Sequence, residues 1–288
     1  MTETITRLTD IVCATGESPV WEAERNALWW ADIPAGTIYR LDVGTNEVRD
    51  WTLPEPVGSF GLYAEGGALV VGLRSGVYRF EPESGALDKL VDPEPGKPDN
   101  RLNDGKVGPD GAFWVGSMRE VKYDGPPTGA LYRVTADGRC ETKVDPVITS
   151  NGLAFSADGR TLFHTDSAGQ WIDRYDLDPA SGAIGNKARI ATPGDADGRP
   201  DGGACDVEGC YWSCGVSAGV INRYDRDGKL LQKIPVPCDA PTMPCFAGPD
   251  MKTLYFTSLK RDTSTNPNDG GLFVMQVDVA GAPIGRFG

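Results

Sequence analysis

Short apolar runs alternate with polar turns along the whole chain, and no stretch carries the 3.6-residue spacing of an amphipathic helix. The runs recur in a fixed order. A polar residue opens a short apolar strand, an Asp- or Glu-containing turn leads to a second strand, and a Gly-containing link leads to a third that commonly holds Tyr-Arg or Arg-Tyr. Units start at Glu17, Ser59, Asn103, Asn151, Asp201 and Thr242, at intervals of 42, 44, 48, 50 and 41 residues. The turns at 64–67, 109–111, 156–159, 206–209 and 248–251 hold the Gly, Asp and Asn-like residues that tight hairpins demand, with 22–25 as a less regular first case. Second strands fall at 28–31, 69–73, 113–116, 162–165, 210–213 and 254–257, and third strands at 38–41, 77–80, 131–134, 172–175, 221–224 and 272–275. Fourth strands fit 48–51, 143–145 and 231–234.

A repeat of this length, all strand and turn, fits radial stacking in which each sheet buries its faces against its neighbours. The pattern predicts an all-β fold, a six-bladed β-propeller with four-stranded blades, spanning 1–288 as a single domain. Residues 5–8 are placed to pair into the last blade and close the ring, in competition with 283–286.

Composition narrows the partners. The net charge of −13 and the absence of a Lys/Arg run disfavour nucleic acid and anionic membrane surfaces. No apolar run approaches a membrane span and the opening seven residues are polar, so a cytoplasmic protein without a signal peptide is expected. Seven cysteines, odd in number and without a C-x-x-C pair, argue against a disulfide framework or a structural zinc site. A closed propeller is expected to be a monomer.

The innermost strands of a propeller line its channel, so residues at one phase of the repeat face a common axis. Glu17, Ser59, Asn103, Asn151, Asp201 and Thr242 all present oxygen there. Facing carboxylates repel, and burying them is costly unless a cation lies between. Oxygen donors without His or Cys point to Ca²⁺, Mg²⁺ or Mn²⁺, with Zn²⁺ or Fe²⁺ admissible at an open site. The same residue types also form turns where strands begin, and phase alone leaves both readings open.

Several motifs carry a resemblance: Gly16-Glu-Ser-Pro-Val-Trp21, Arg101-Leu-Asn-Asp-Gly105, Trp114-Val-Gly-Ser-Met118, Thr149-Ser-Asn-Gly-Leu153, Phe163-His-Thr-Asp166, Pro200-Asp-Gly202 and Pro244-Cys-Phe-Ala-Gly-Pro-Asp250. From about residue 12 to 280 the chain resembles the senescence marker protein/gluconolactonase family, the regucalcin-like sugar lactonases, and within it bacterial aldonolactonases. The resemblance implies one divalent metal held by Glu17, Asn151 and Asp201, and substrate contacts from Arg101 and Asn103. Glu120 falls near a family acidic position that reaches substrate hydroxyls. The substrate implied is a sugar lactone such as xylono-, arabino- or gluconolactone, opened to the aldonic acid by an activated water. Asp201 would act as general base and Arg101 would orient the sugar and stabilise the oxyanion. Competing readings are a propeller esterase or organophosphatase with the same metal, and a non-enzymatic calcium-binding protein.

Other motifs carry less. Gly215-Val-Ser-Ala-Gly219 has the G-x-S-x-G pattern but links two strands, where a nucleophile elbow needs a following helix and a His partner. His164, the sole histidine, is expected to pack within its strand, with a substrate-pocket role left open. Residues 195–198 begin like a calcium loop, but Pro200 stands where that loop requires Gly. Trp29, Trp30, Trp114 and Trp212 read as packing between blades, and Trp21 as nearer the channel.

Overall fold

The structure, a computed structural model, describes residues 4–121 and 125–288. The first three residues of the polar opening lie outside it. Six four-stranded antiparallel sheets follow one another in chain order as the blades of a propeller. Blade 1 comprises Gly16–Glu22, Ala27–Asp32, Thr37–Asp42 and Val48–Thr52, and blades 2 to 5 repeat this order. Blade 6 takes its outermost strand from the chain start, where Thr6 and Arg7 pair with Val274 and Phe273. The C-terminal stretch therefore does not compete for that edge. It runs across one end of the channel instead, through bridges of Gly281 to Asp206 and Phe287 to Tyr63.

Burial explains the strand order. The inner strands are buried on both faces, whereas the outermost are polar and largely exposed, as in Leu230–Pro235. Large side chains fill the wedges between blades. Phe163 stacks on Tyr211 at 4.9 Å between blades 4 and 5, and Trp212 meets Phe246 edge-on at 5.4 Å between blades 5 and 6. Trp21 packs here too, stacked at 6.4 Å on Tyr255 between blades 1 and 6, so it is a core residue and not a channel one.

The repeat's acid turn, second-strand Trp and third-strand Arg prove to be one interaction. Asp206 accepts hydrogen bonds from Trp212 Nε1 at 2.9 Å and Arg223 Nε at 2.8 Å. Asp110 does the same for Trp114 at 3.1 Å and Arg133 at 2.6 Å. Each buried acid ties its first hairpin to the third strand, which satisfies a carboxylate that would otherwise be costly to bury.

Candidate active site and metal centre

All six inner strands slip register close to their opening polar residue. Such a bulge leaves a residue unpaired and re-aims side chains that strict alternation would send elsewhere. In blade 4 it falls after Asn151, with Gly152 at φ 62°. A Cβ there would stand 2.4 Å from the Tyr211 hydroxyl, so both the backbone conformation and the space require glycine. In blade 3 it lets consecutive residues reach the same neighbour. Asn103 Nδ2 donates to the Ser150 carbonyl at 3.0 Å, and Asp104 Oδ2 accepts from the Leu153 amide at 2.9 Å.

The structure brings Asn151 and Asp201 together: the Asn151 amide nitrogen donates to Asp201 Oδ1 and to Ser167 Oγ at 3.0 Å. Asn151 Oδ1 accepts from the Gly152 amide at 3.0 Å, and Glu17 Oε2 accepts from the Ser18 amide at 3.0 Å. Thr242 is turned to another task, donating to the Gly16 carbonyl at 2.5 Å and so stitching blade 6 to blade 1. The Ser59 hydroxyl is buried and has no hydrogen-bond partner among the described residues.

Electrostatics mark the site. Burial, then the charges of Asp201 and Asp104, push Glu17 well above the usual carboxylate range. Burial and then Asp104 push Asp201 up likewise, against the opposing pull of Arg199. Asp104 is itself raised by burial, with Lys106 pulling the other way, and its Oδ1 has no hydrogen-bond partner among the described residues. Sequence reasoning passed over Asp104, although two adjacent polar residues in a buried strand were the available signal. Such a set of buried oxygens is relieved by a hard divalent cation, and the donor chemistry of Glu17, Asn151 and Asp201 fits one. The cluster of Asp206, Glu208 and Cys210 fits less well, because Asp206 already serves Trp212, Arg223 and two backbone amides.

Arg101 lies beside this cluster. Its Nη1 donates to Asn103 Oδ1 at 2.7 Å and to the Leu102 carbonyl at 3.0 Å. Burial lowers its pKa, while Glu120, Glu17 and Asp201 act in the opposite direction. Glu120 stands at the rim, one-third exposed, in an ion pair with Arg74 at 3.0 Å. Its charge is felt by Arg101, but the two share no hydrogen bond.

The remaining motifs resolve structurally. His164 is fully buried, with Nε2 2.8 Å from Ser150 Oγ and its ring edge-on to Trp171. Burial depresses its pKa to about 3, so it stays neutral. The G-x-S-x-G segment is a hairpin link between Tyr211–Gly215 and Val220–Tyr224, and Ser217 Oγ accepts from the Arg199 amide at 2.9 Å. At the far end of the channel a cavity of about 500 Å³ is lined by Phe60, Lys106, Phe155, Met243 and the C-terminal segment.

Residues 15–260 match the family model described as SMP-30/Gluconolactonase/LRE-like region. The 6-deoxy-6-sulfogluconolactonase of Pseudomonas putida is 37% identical over 287 residues, covering 98% of this chain and 97% of its own. Regucalcin of Bos taurus is 34% identical over 282 residues, covering 94% of each. Among solved structures, that of a calcium-binding protein, regucalcin, from Agrobacterium tumefaciens superposes with a TM-score of 0.90 at 26% identity, over 98% of this chain and 97% of the other. With a family match over most of its length, and with relatives of this similarity aligned end to end, the chain belongs to the SMP-30/gluconolactonase/LRE-like family.

Proposed function

We propose that the protein hydrolyses a sugar lactone to its aldonic acid with the help of one divalent cation held by Glu17, Asn151 and Asp201. The observation that carries this reading is the packing of Glu17, Asp201 and Asp104 into one channel, where burial drives all three carboxyl groups towards the neutral form. The names of the Pseudomonas putida and Agrobacterium tumefaciens relatives, a lactonase and a calcium-binding protein, support the substrate and the cation in turn. When bound, the cation would supply Lewis acidity for the lactone carbonyl and lower the pKa of a water.

The chain's own residues do the rest. As the water oxygen bonds to the lactone carbonyl carbon, Asp201 Oδ takes the water's proton; the acyl C–O bond to the ring oxygen then breaks, and Asp201 returns that proton to the departing alkoxide. Arg101, its head fixed by Asn103 Oδ1, presents its remaining N–H donors to the substrate's oxygens and the developing oxyanion. Asn103 and Glu120 supply further partners for hydroxyl groups. A closed ring formed within one chain supports a monomer, and seven free thiols support a reducing, cytoplasmic setting. Among the described residues no helix is long and apolar enough to cross a membrane.

The reading is tested by acid release from xylono-, arabino-, galactono- and gluconolactones, crossed with a series of divalent metals. Asp201→Asn should fold and lose at least about 100-fold in turnover, the range of a removed general base. Aryl ester or organophosphate hydrolysis without lactone opening would favour an esterase. Calcium binding with no hydrolysis would favour a binding protein.

A further inference from the structure

Two residues before each opening polar position, on the same side of the strand by alternation, stand Thr15, Val57, Arg101, Thr149, Arg199 and Ala240. Only blades 3 and 5 place a cation at this level, and the two arginines differ in what surrounds them. Arg101 is partly buried, bonded to Asn103, and within the influence of Glu120, so the blade 3 rim offers mixed donors and acceptors suited to neutral hydroxyls. Arg199 is exposed and its guanidinium has no hydrogen bond or ion pair among the described residues, although its charge reaches Asp201. Its backbone is nevertheless fixed, by Ser217 Oγ on its amide at 2.9 Å and by the Val216 amide on its carbonyl at 3.0 Å. Arg261 anchors beside it, donating from Nη2 to the Val216 carbonyl at 3.0 Å. The nearby Asp197 is occupied by Lys233 at 2.6 Å. Arg199 is close enough to Asp201 for their charges to act on one another, which sets its guanidinium beside the channel cluster, with Arg261 next to it.

We infer that the blade 5 rim, Arg199 with Arg261 behind it, receives an anionic group carried by the lactone at the end remote from its carbonyl, so that the preferred substrate is an acidic sugar lactone. This rests on the lactonase reading above. A guanidinium takes a carboxylate, sulfonate or phosphate through paired N–H donors, and a site built around such a charge discriminates strongly against an analogue that lacks it. Arg101 and Asn103, on the facing side of blade 4, then hold the hydroxyls.

The test compares kcat/KM of the metal-loaded protein for four hexonolactones that differ only at C6, carrying hydroxyl, carboxylate, sulfonate or phosphate. At least one anionic lactone should exceed the neutral one by about 10-fold or more, with an advantage that shrinks as ionic strength rises. The three anionic arms identify which group is taken. Arg199→Gln should reduce the anionic-to-neutral ratio by about 10-fold, and Arg199→Lys should recover part of it. Turnover of the neutral lactone with no anionic preference, or a ratio that Arg199→Gln leaves in place, overturns this inference while sparing the lactonase reading. A protein that opens none of the four overturns both.

Discussion

Removing the divalent cation should lower the melting temperature in a pH-dependent way whose sign follows from the buried carboxyl groups. In the cation-free fold Glu17 and Asp201 are held above the usual range, chiefly by burial, whereas in the unfolded chain they titrate near ~4. The folded state thus binds more protons across the interval from about pH 4 up to the raised values, and stability falls as pH rises through it. A cation removes this penalty by favouring the charged forms, so the stabilisation it confers grows with pH. Unfolding entropy of ~2.1 cal/mol/K per residue over 288 residues gives about 0.6 kcal/mol per degree near the midpoint. A cation at 100 times its dissociation constant adds roughly 2.7 kcal/mol, which raises the midpoint by about 4–5 °C. Differential scanning calorimetry of chelator-treated protein, with and without added Ca²⁺, Mg²⁺, Mn²⁺ or Zn²⁺ at pH 5 and pH 8, reads this directly. One ion at least should give the larger increment at pH 8, and Asp201→Asn should reduce that increment while raising the melting temperature of the cation-free protein. A shift of equal size at both pH values, or one that survives Asp201→Asn, refutes the reasoning.

Three further outcomes follow from the same structure. Gly152→Ala combines a φ of 62° with a Cβ 2.4 Å from the Tyr211 hydroxyl, and should cost about 1–3 kcal/mol in urea unfolding. His164, depressed to about 3 by burial, should contribute no inflection to the pH–rate profile between pH 5 and 8; His164→Gln should leave the profile's shape intact and lower stability, as seen by urea titration. Arg101→Lys exchanges a fork held by Asn103 for a point charge and should reduce kcat/KM by about 10-fold or more, whereas an Arg acting through charge alone would tolerate the change.

The propeller was legible because its repeat is written in residues with strong local preferences. Acid-Gly turns, second-strand Trp and third-strand Arg recur at one phase, and the structure shows them bonded to one another in blades 3 and 5. Closure was half legible: the sequence offered residues 5–8 and 283–286 for the last blade, and the structure uses Thr6 and Arg7. What the channel contains was less so. Phase marked six polar positions as equivalent, yet Thr242 is spent on a bond between blades while Asn151 and Asp201 meet. All six strands share the bulge, so that division depends on which neighbouring group each side chain meets, the Gly16 carbonyl for Thr242 and Asp201 for Asn151, and a single strand's sequence does not record it. Asp104 escaped notice because alternation alone points it away from Asn103, and only the slipped register lets both reach blade 4. The path of residues 281–288 across the channel end was also hidden, since that segment is held mainly by backbone bonds, with Phe287 as its apolar anchor.

The central claim is that the cation between Glu17, Asn151 and Asp201 is what makes the channel a lactonase. It is tested most directly by pH-stat measurement of acid release from gluconolactone before chelation, after chelation, and during return of a divalent metal one fraction of an equivalent at a time. The account predicts that hydrolysis vanishes with the metal and returns in proportion, complete at about one ion per chain. Hydrolysis that persists unchanged in fully chelated protein would contradict it.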